Sequence, residues 1–257
     1  MTNLYIFILY LFTFVIGICI GSFLNVVIYR VPNGVSFAKG RSYCPACKQQ
    51  IKFYDNIPLL SWIILKGKCR NCKSNISIRY PIVELLGGIS AILCSYRFGL
   101  FTVGSLITFI SSAILISITY IDYDTMTIPN GFNIALIVPA TISAFIFKEI
   151  KIYERLIGLL SVSLLMLIIT MIVKGAFGGG DIKLMAVAGF MLGYKNILLS
   201  FFIGIIITGI YAIIKLATKK LNKKDHIAFG PGLCIGIFIS MLYGSQILNW
   251  YMNLFII

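Results

Sequence analysis

Hydrophobic residues in this chain come in long unbroken runs. They show neither the period of two of a half-buried strand nor the narrow apolar stripe of a soluble helix. Residues 1–29 carry no charge, and 4–29 exceeds the roughly 20 residues a helix needs to span a bilayer. This run lacks a basic start and outlasts the apolar core of a signal peptide, about 7–15 residues, so it reads as a retained first helix. Seven further apolar runs follow, at 81–97, 100–121, 131–147, 156–173, 182–195, 196–217 and 230–250. The pattern predicts an all-α polytopic membrane protein with about eight transmembrane helices.

One connection is unlike the rest. Residues 30–80, between helices one and two, are rich in turn formers and basic side chains, and form the only stretch able to fold outside the bilayer. The expected organisation is a first helix (1–29), an inserted domain (30–80) and a membrane core (81–257). Of the 22 Lys and Arg, 17 fall in odd-numbered connections. The positive-inside rule then makes those connections cytoplasmic and turns both termini outward.

Composition agrees. The chain is 59% hydrophobic and 12% charged, against about 45–50% and 25% in soluble domains. This excludes a disordered protein, a disulfide mini-protein and an ordinary cytosolic enzyme. The net charge of +14 reports topology, with attraction to anionic membrane lipids as a by-product. Without a sizeable soluble domain it does not indicate nucleic acid.

The inserted domain carries Cys44-Pro-Ala-Cys47 and, after twenty-one intervening residues, Cys69-Arg-Asn-Cys72. Two C-x-x-C knuckles at such spacing are a strong signature of structural zinc, since four thiolates close a tetrahedral shell. A short domain with little core gains most from a metal staple, and a cytoplasmic loop sits where disulfides are rare. Cys19, Cys94 and Cys234 lie in apolar runs and read as packing residues.

Of the eight acids, Asp55, Glu149, Glu154 and Asp225 fall in charged loops, where solvated or ion-paired roles are the default. The others need a reason. Asp122 and Asp124 end the third helix, and Asp181 follows Gly178-Gly179-Gly180 ahead of a short apolar run. Both segments join cytoplasmic-side connections, so their carboxylates can meet at one depth. Two carboxyls brought together cannot both ionise cheaply; one keeps a proton while the other activates water. From spacing alone the bland alternatives stay open: Asp122 ends a helix, Asp124 sits in an exposed turn, and Asp181 caps the next helix. His226, the sole histidine, lies in a basic loop and is given no catalytic role.

Taken together these segments resemble the bacterial type IV prepilin peptidases, bifunctional leader peptidase/N-methyltransferases of the intramembrane aspartic protease type. The resemblance rests on Gly21-Ser-Phe-Leu-Asn25 through Tyr29-Arg30-Val-Pro32, the double C-x-x-C, Asp55-Asn56-Ile57-Pro58 and Gly67-Lys68-Cys69. It continues in Arg79-Tyr80-Pro81 through Glu84, Ile121-Asp122, the Gly-x-Gly-Asp box at 178–181 and Phe229-Gly230-Pro231. It implies leader cleavage after a glycine at the cytoplasmic face of the bacterial cytoplasmic membrane, then methylation of the new N-terminal amine from S-adenosylmethionine. The implied substrates are type IV prepilin, pseudopilin or competence pilin precursors. Asp122 and Asp181 become the expected catalytic pair and Asp124 the rival acid, two residues away and on another helix face. Gly21, Ser22, Asn25, Tyr29, Gly67 and Glu84 are the candidates to line the methyl-transfer or substrate site. Gly21, Asn25 and Tyr29 share one face of helix one, where close helix packing is the competing reading. Glu84 has one too, as a charge near the start of helix two facing Arg79 or Arg30. The alternatives in function are a peptidase without methyl transfer and, in another class, an ion or metal transporter using intramembrane acids.

Overall fold

The fold is that of a computed structural model, which describes residues 2–38, 40–218 and 227–254. It is helical: α1 (Thr2–Arg30), a 3-10 turn (Phe53–Asn56), α2 (Leu60–Ile64), α3 (Arg79–Phe98), α4 (Val103–Thr125), α5 (Asn130–Ile146), α6 (Ile152–Ile172), α7 (Gly179–Ala217) and α8 (Gly230–Asn253). No strand occurs among the described residues beyond two isolated bridges, Tyr43 with Gln50 and Lys68 with Asn75. Six helices, α1, α3, α4, α6, α7 and α8, are long and apolar enough to cross a membrane, and α5 is a shorter apolar helix. The chain is an integral membrane protein. The connection bearing Lys219, Lys220, Lys223, Lys224, Asp225 and His226 lies outside the described residues.

At 39 residues α7 is too long for one crossing, and its backbone breaks at Gly193 (φ 76°, ψ 167°). A straight helix would separate Gly179 from Phe201 by about 33 Å at 1.5 Å per residue. Instead the ring of Phe201 lies 6.4 Å from that of Phe177, so the second arm (194–217) returns alongside the first (179–192). The positive φ that reverses the chain suits glycine. With the arms counted separately, all eight apolar runs are helical, and the break falls two residues before the expected boundary.

The chain divides into two compact units, Met1–Ser105 and Leu106–Ile257. In the first, α1 crosses α3 at glycines. A Cβ on Gly17 would stand 2.6 Å from the Gly87 carbonyl oxygen, and one on Gly21 would stand 2.7 Å from Glu84 Cα. Small residues allow this approach where lipid supplies no hydrophobic drive between helices. In the second unit α7 packs on α5, α6 and α8, around a core that includes Leu115, Ile118, Leu136, Val162, Met166, Leu184, Ile197, Leu233 and Ile237.

The sequence places Arg155 with the outer-loop charges; the structure starts α6 at Ile152 and buries this side chain to 1% exposure. Its guanidinium donates to the carbonyls of Ser143, Phe147, Ile150, Phe190 and Met191 and to Ser143 Oγ, at 2.9–3.3 Å. These oxygens include carbonyls at the C-terminal ends of α5 and of the first arm of α7. A cation suits such helix ends, so Arg155 ties both to the Gly193 turn.

Candidate functional site

The two C-x-x-C segments fold as near copies. Each begins at a cysteine whose carbonyl accepts from a positive-φ lysine four residues on: Lys48 to Cys44 at 2.8 Å, Lys73 to Cys69 at 3.0 Å. Each cysteine amide donates five residues ahead, Cys44 to Gln49 and Cys69 to Ser74. Cys-x-x-Cys-Lys-x-(Gln/Asn)-Ile at 44–51 and 69–76 is thus a short repeat, legible in the sequence but not singled out there. All four sulfurs lie within 4.8 Å of one another, and Cys44 and Cys72 are 3.9 Å apart. A tetrahedral zinc with bonds of about 2.3 Å has sulfur–sulfur edges of about 3.8 Å, so the four thiols fit that ion. The Cys47 amide, aimed at its sulfur, leads in pulling the Cys44 thiol down to about 6. The Ser74 hydroxyl lowers Cys72 in the same way.

A cleft of about 630 Å³ adjoins these knuckles, lined in part by Ser22, Asn25, Tyr29, Trp62, Glu84 and Cys44. Four of the six candidate lining residues therefore gather there. Gly21 instead meets α3, and Gly67 (φ +67°) lies under Trp62, whose ring a Cβ would approach to 3.0 Å. Trp62 Nε1 donates to the Ile76 carbonyl at 3.1 Å, closing the loop between the knuckles. Asn25 is buried and donates to the Tyr80 carbonyl at 3.1 Å. Glu84 is buried too, and its Oε2 accepts the Leu59 amide at 2.7 Å; it lies past the first turn of α3. Asp55 forms a two-toothed pair with Arg70 (2.7–3.0 Å), and this guanidinium holds its carboxyl below the usual range.

The second constellation lies in Leu106–Ile257. Asp122 is 4% exposed on α4, and its Oδ2 accepts the amide of Gly230, 108 residues away at the start of α8, at 2.9 Å. Asp181 is 8% exposed, and its Oδ2 accepts the Gly178 amide at 3.2 Å. It does cap α7, as the bland reading had it. Its other oxygen, Oδ1, is buried without a protein partner. The two carboxyl groups are within electrostatic reach of each other and of Cys234. Asp124 is exposed.

The glycines of the box differ in role. A Cβ on Gly180 would lie 2.8 Å from Ile128 Cβ, whereas one on Gly179 meets nothing within 4 Å. Asn133 Nδ2 donates to the Gly180 carbonyl (3.3 Å) and Lys183 Nζ to Asn130 Oδ1 (2.9 Å), fastening the start of α7 to α5. The rings of Phe177, Phe201 and Phe229 pack together beside the start of α8. Of these, only the Phe229-Gly230-Pro231 string carried a signal in the sequence, and it was silent about its partner.

Two buried carboxyl groups, each accepting an amide at the start of a helix, within a polytopic helical protein bearing a four-thiol knuckle, define the class: a membrane protein equipped for acid–base chemistry at the bilayer. The comparisons narrow it. Residues 15–98 match the bacterial peptidase A24 N-terminal domain, and residues 109–213 match the type IV leader peptidase family. Full-length relatives include the prepilin leader peptidase/N-methyltransferases of Bacillus subtilis (33% identical; 94% of this chain, 97% of that one) and Legionella pneumophila (32%; 95% of each). That of Neisseria gonorrhoeae is 33% identical over 93% of each chain. No solved structure gives a significant match. The chain belongs to the type IV leader peptidase family.

Proposed function

We propose that this protein cleaves the leader from type IV prepilin-like precursors after a glycine and then methylates the new N-terminal amine. The observation that carries the cleavage reading is the buried, unpartnered Oδ1 of Asp181, within electrostatic reach of buried Asp122. Such an oxygen needs a proton, a water or a reacting group. In the cleavage step one carboxylate takes a proton from water as its oxygen attacks the glycyl carbonyl carbon. The other carboxyl gives its proton to the carbonyl oxygen. Collapse of the diol then breaks the C–N bond, with a proton delivered to the leaving nitrogen. Exposed Asp124 fits this role less well than Asp122.

Methyl transfer belongs in the cleft of Met1–Ser105. Its volume lies within the usual span of small-ligand sites, about 300–1,000 Å³. S-adenosylmethionine would supply the methyl group there, with Asn25, Tyr29, Trp62 and Glu84 as the side chains placed to hold donor and amine. Zinc on Cys44, Cys47, Cys69 and Cys72 would fix the cleft wall. We place the zinc domain in the cytoplasm and both termini outside, on the distribution of Lys and Arg. Family membership favours this reading over transport.

The test is purified protein with a prepilin and labelled donor, read by the mass of the product N-terminus. Asp122→Asn and Asp181→Asn abolish cleavage, and Asp124→Asn retains it. Full cleavage in both of the first two variants overturns the assignment. A cleaved product left unmethylated with donor present reduces the protein to a peptidase.

A further inference from the structure

The five residues of α2 present two faces. Leu59, Ser61, Trp62 and Leu65 line the cleft. Leu60, Ile63 and Ile64 do not line it and are 56%, 64% and 70% exposed. Two isoleucines and a leucine exposed together on one short helix, outside the long helices, form an apolar patch of the kind that marks a binding surface.

Its height is set by Glu84. The hydrogen bond from the Leu59 amide to Glu84 Oε2 pins the start of α2 to a point five residues into α3, about 7.5 Å along that helix axis. Leu59 also holds φ +61°, a conformation costly for a branched residue and kept only where its surroundings enforce it. The orientation of α2 is therefore imposed, and α3 is one of the helices that cross the membrane. A helix fixed several ångströms inside the end of a transmembrane neighbour lies at the depth where interfacial helices bury their apolar faces, about 5–10 Å. Exposed Lys66 and Lys68 follow α2 directly in the chain, and lysines at an interface extend their ammonium groups to lipid phosphates.

We infer that α2 is a membrane-interface helix: its Leu60, Ile63 and Ile64 face sits in the acyl boundary of the bilayer that α1 and α3 cross, with the neighbouring lysines on anionic headgroups. The cleft then opens at the lipid surface, its floor held by a helix whose other side is in lipid. This inference does not depend on what the cleft binds.

The test is Ile64→Trp in the full-length protein, reconstituted in vesicles containing phosphatidylglycerol, with the parent protein's tryptophan emission subtracted. The added emission should be blue-shifted, quenched by lipids brominated on the acyl chain, and insensitive to aqueous iodide. Lys66→Gln with Lys68→Gln in the same background should lessen the acyl-chain quenching as phosphatidylglycerol is raised. Emission quenched by iodide and untouched by brominated lipid overturns the inference. So does emission that responds only when a prepilin leader peptide is added, which would make the face a peptide-docking surface.

Discussion

Gly230→Ala should cripple cleavage without unfolding the protein. Gly230 opens α8 and donates its amide to Asp122 Oδ2 at 2.9 Å. A Cβ there would stand 2.6 Å from that oxygen and 3.0 Å from Asp122 Cγ, while ordinary contact begins at 3.4 Å. The carboxylate must therefore retreat by about 0.8 Å (3.4 minus 2.6) or turn away. Alanine is otherwise welcome at a helix start, and Gly230 has no left-handed backbone to protect, so the strain falls on Asp122. A misplacement near 1 Å costs on the order of 100-fold, so cleavage should fall about 10- to 100-fold, or about 1.4–2.7 kcal/mol in the barrier. The assay is cleavage of a prepilin in detergent, run beside thermal unfolding and methylation of a pre-cleaved pilin. Unchanged cleavage in a folded Gly230→Ala protein would refute the role given to Asp122. Loss of both activities together would mean the variant acts through stability.

Within the glycine box, Gly179→Ala should cleave normally and Gly180→Ala poorly, because only the second meets Ile128; equal loss in both would contradict this packing. Stripping the metal, or Cys44→Ser with Cys69→Ser, should lower bound zinc by elemental analysis and depress methyl transfer well before cleavage, since these cysteines line the cleft and both aspartates lie in Leu106–Ile257. Arg155→Met should lower stability by about 3–5 kcal/mol in detergent melts, as several buried carbonyls lose their donor at about 1–3 kcal/mol each before relaxation, and Arg155→Lys should not restore it. For Asp55, whose carboxyl Arg70 holds below its ordinary value, the stabilisation is present above the unfolded value of about 3.9. It is lost as pH falls through the lower folded value, so the melting difference from Asp55→Asn should be flat from neutrality to about pH 4 and fade below.

The helices were legible because a bilayer leaves the backbone little choice, and an apolar run of the right length announces itself. The cysteine knuckles were legible because their ligands are local, each pair within four residues. The carboxylates were legible as residues but not as a geometry: nothing in the spacing joins Asp122 to Gly230, 108 positions on. Arg155 was misplaced for a related reason. A charge next to a loop counts toward topology in any sequence rule, whereas here it meets five carbonyls that only tertiary packing assembles. Glu84 showed the reverse: its position suggested a helix-end charge, yet its partner is the Leu59 amide, twenty-five residues earlier.

Both aspartates occupy the same kind of place, and this bears on how a membrane protein can keep them. An ionised Asp at the bilayer centre costs about 2.5–3.5 kcal/mol, even on the gentler scales. Asp181 is the third residue of α7 and accepts the amide before it; Asp122 accepts the first amide of α8. Each therefore meets an amide at the positive end of a helix dipole, which favours negative charge there. The glycines follow from that arrangement. A carboxylate can reach a helix's first amide only if the residue there has no side chain in the way, which Gly230 satisfies against Asp122. The start of α7 can lie against Ile128 only if Gly180 lacks a Cβ. The Gly-x-Gly-Asp and Phe-Gly-Pro strings are on this account one device used twice: a bare helix start whose amide holds one oxygen of a buried carboxyl, with Asp181 Oδ1 left for chemistry.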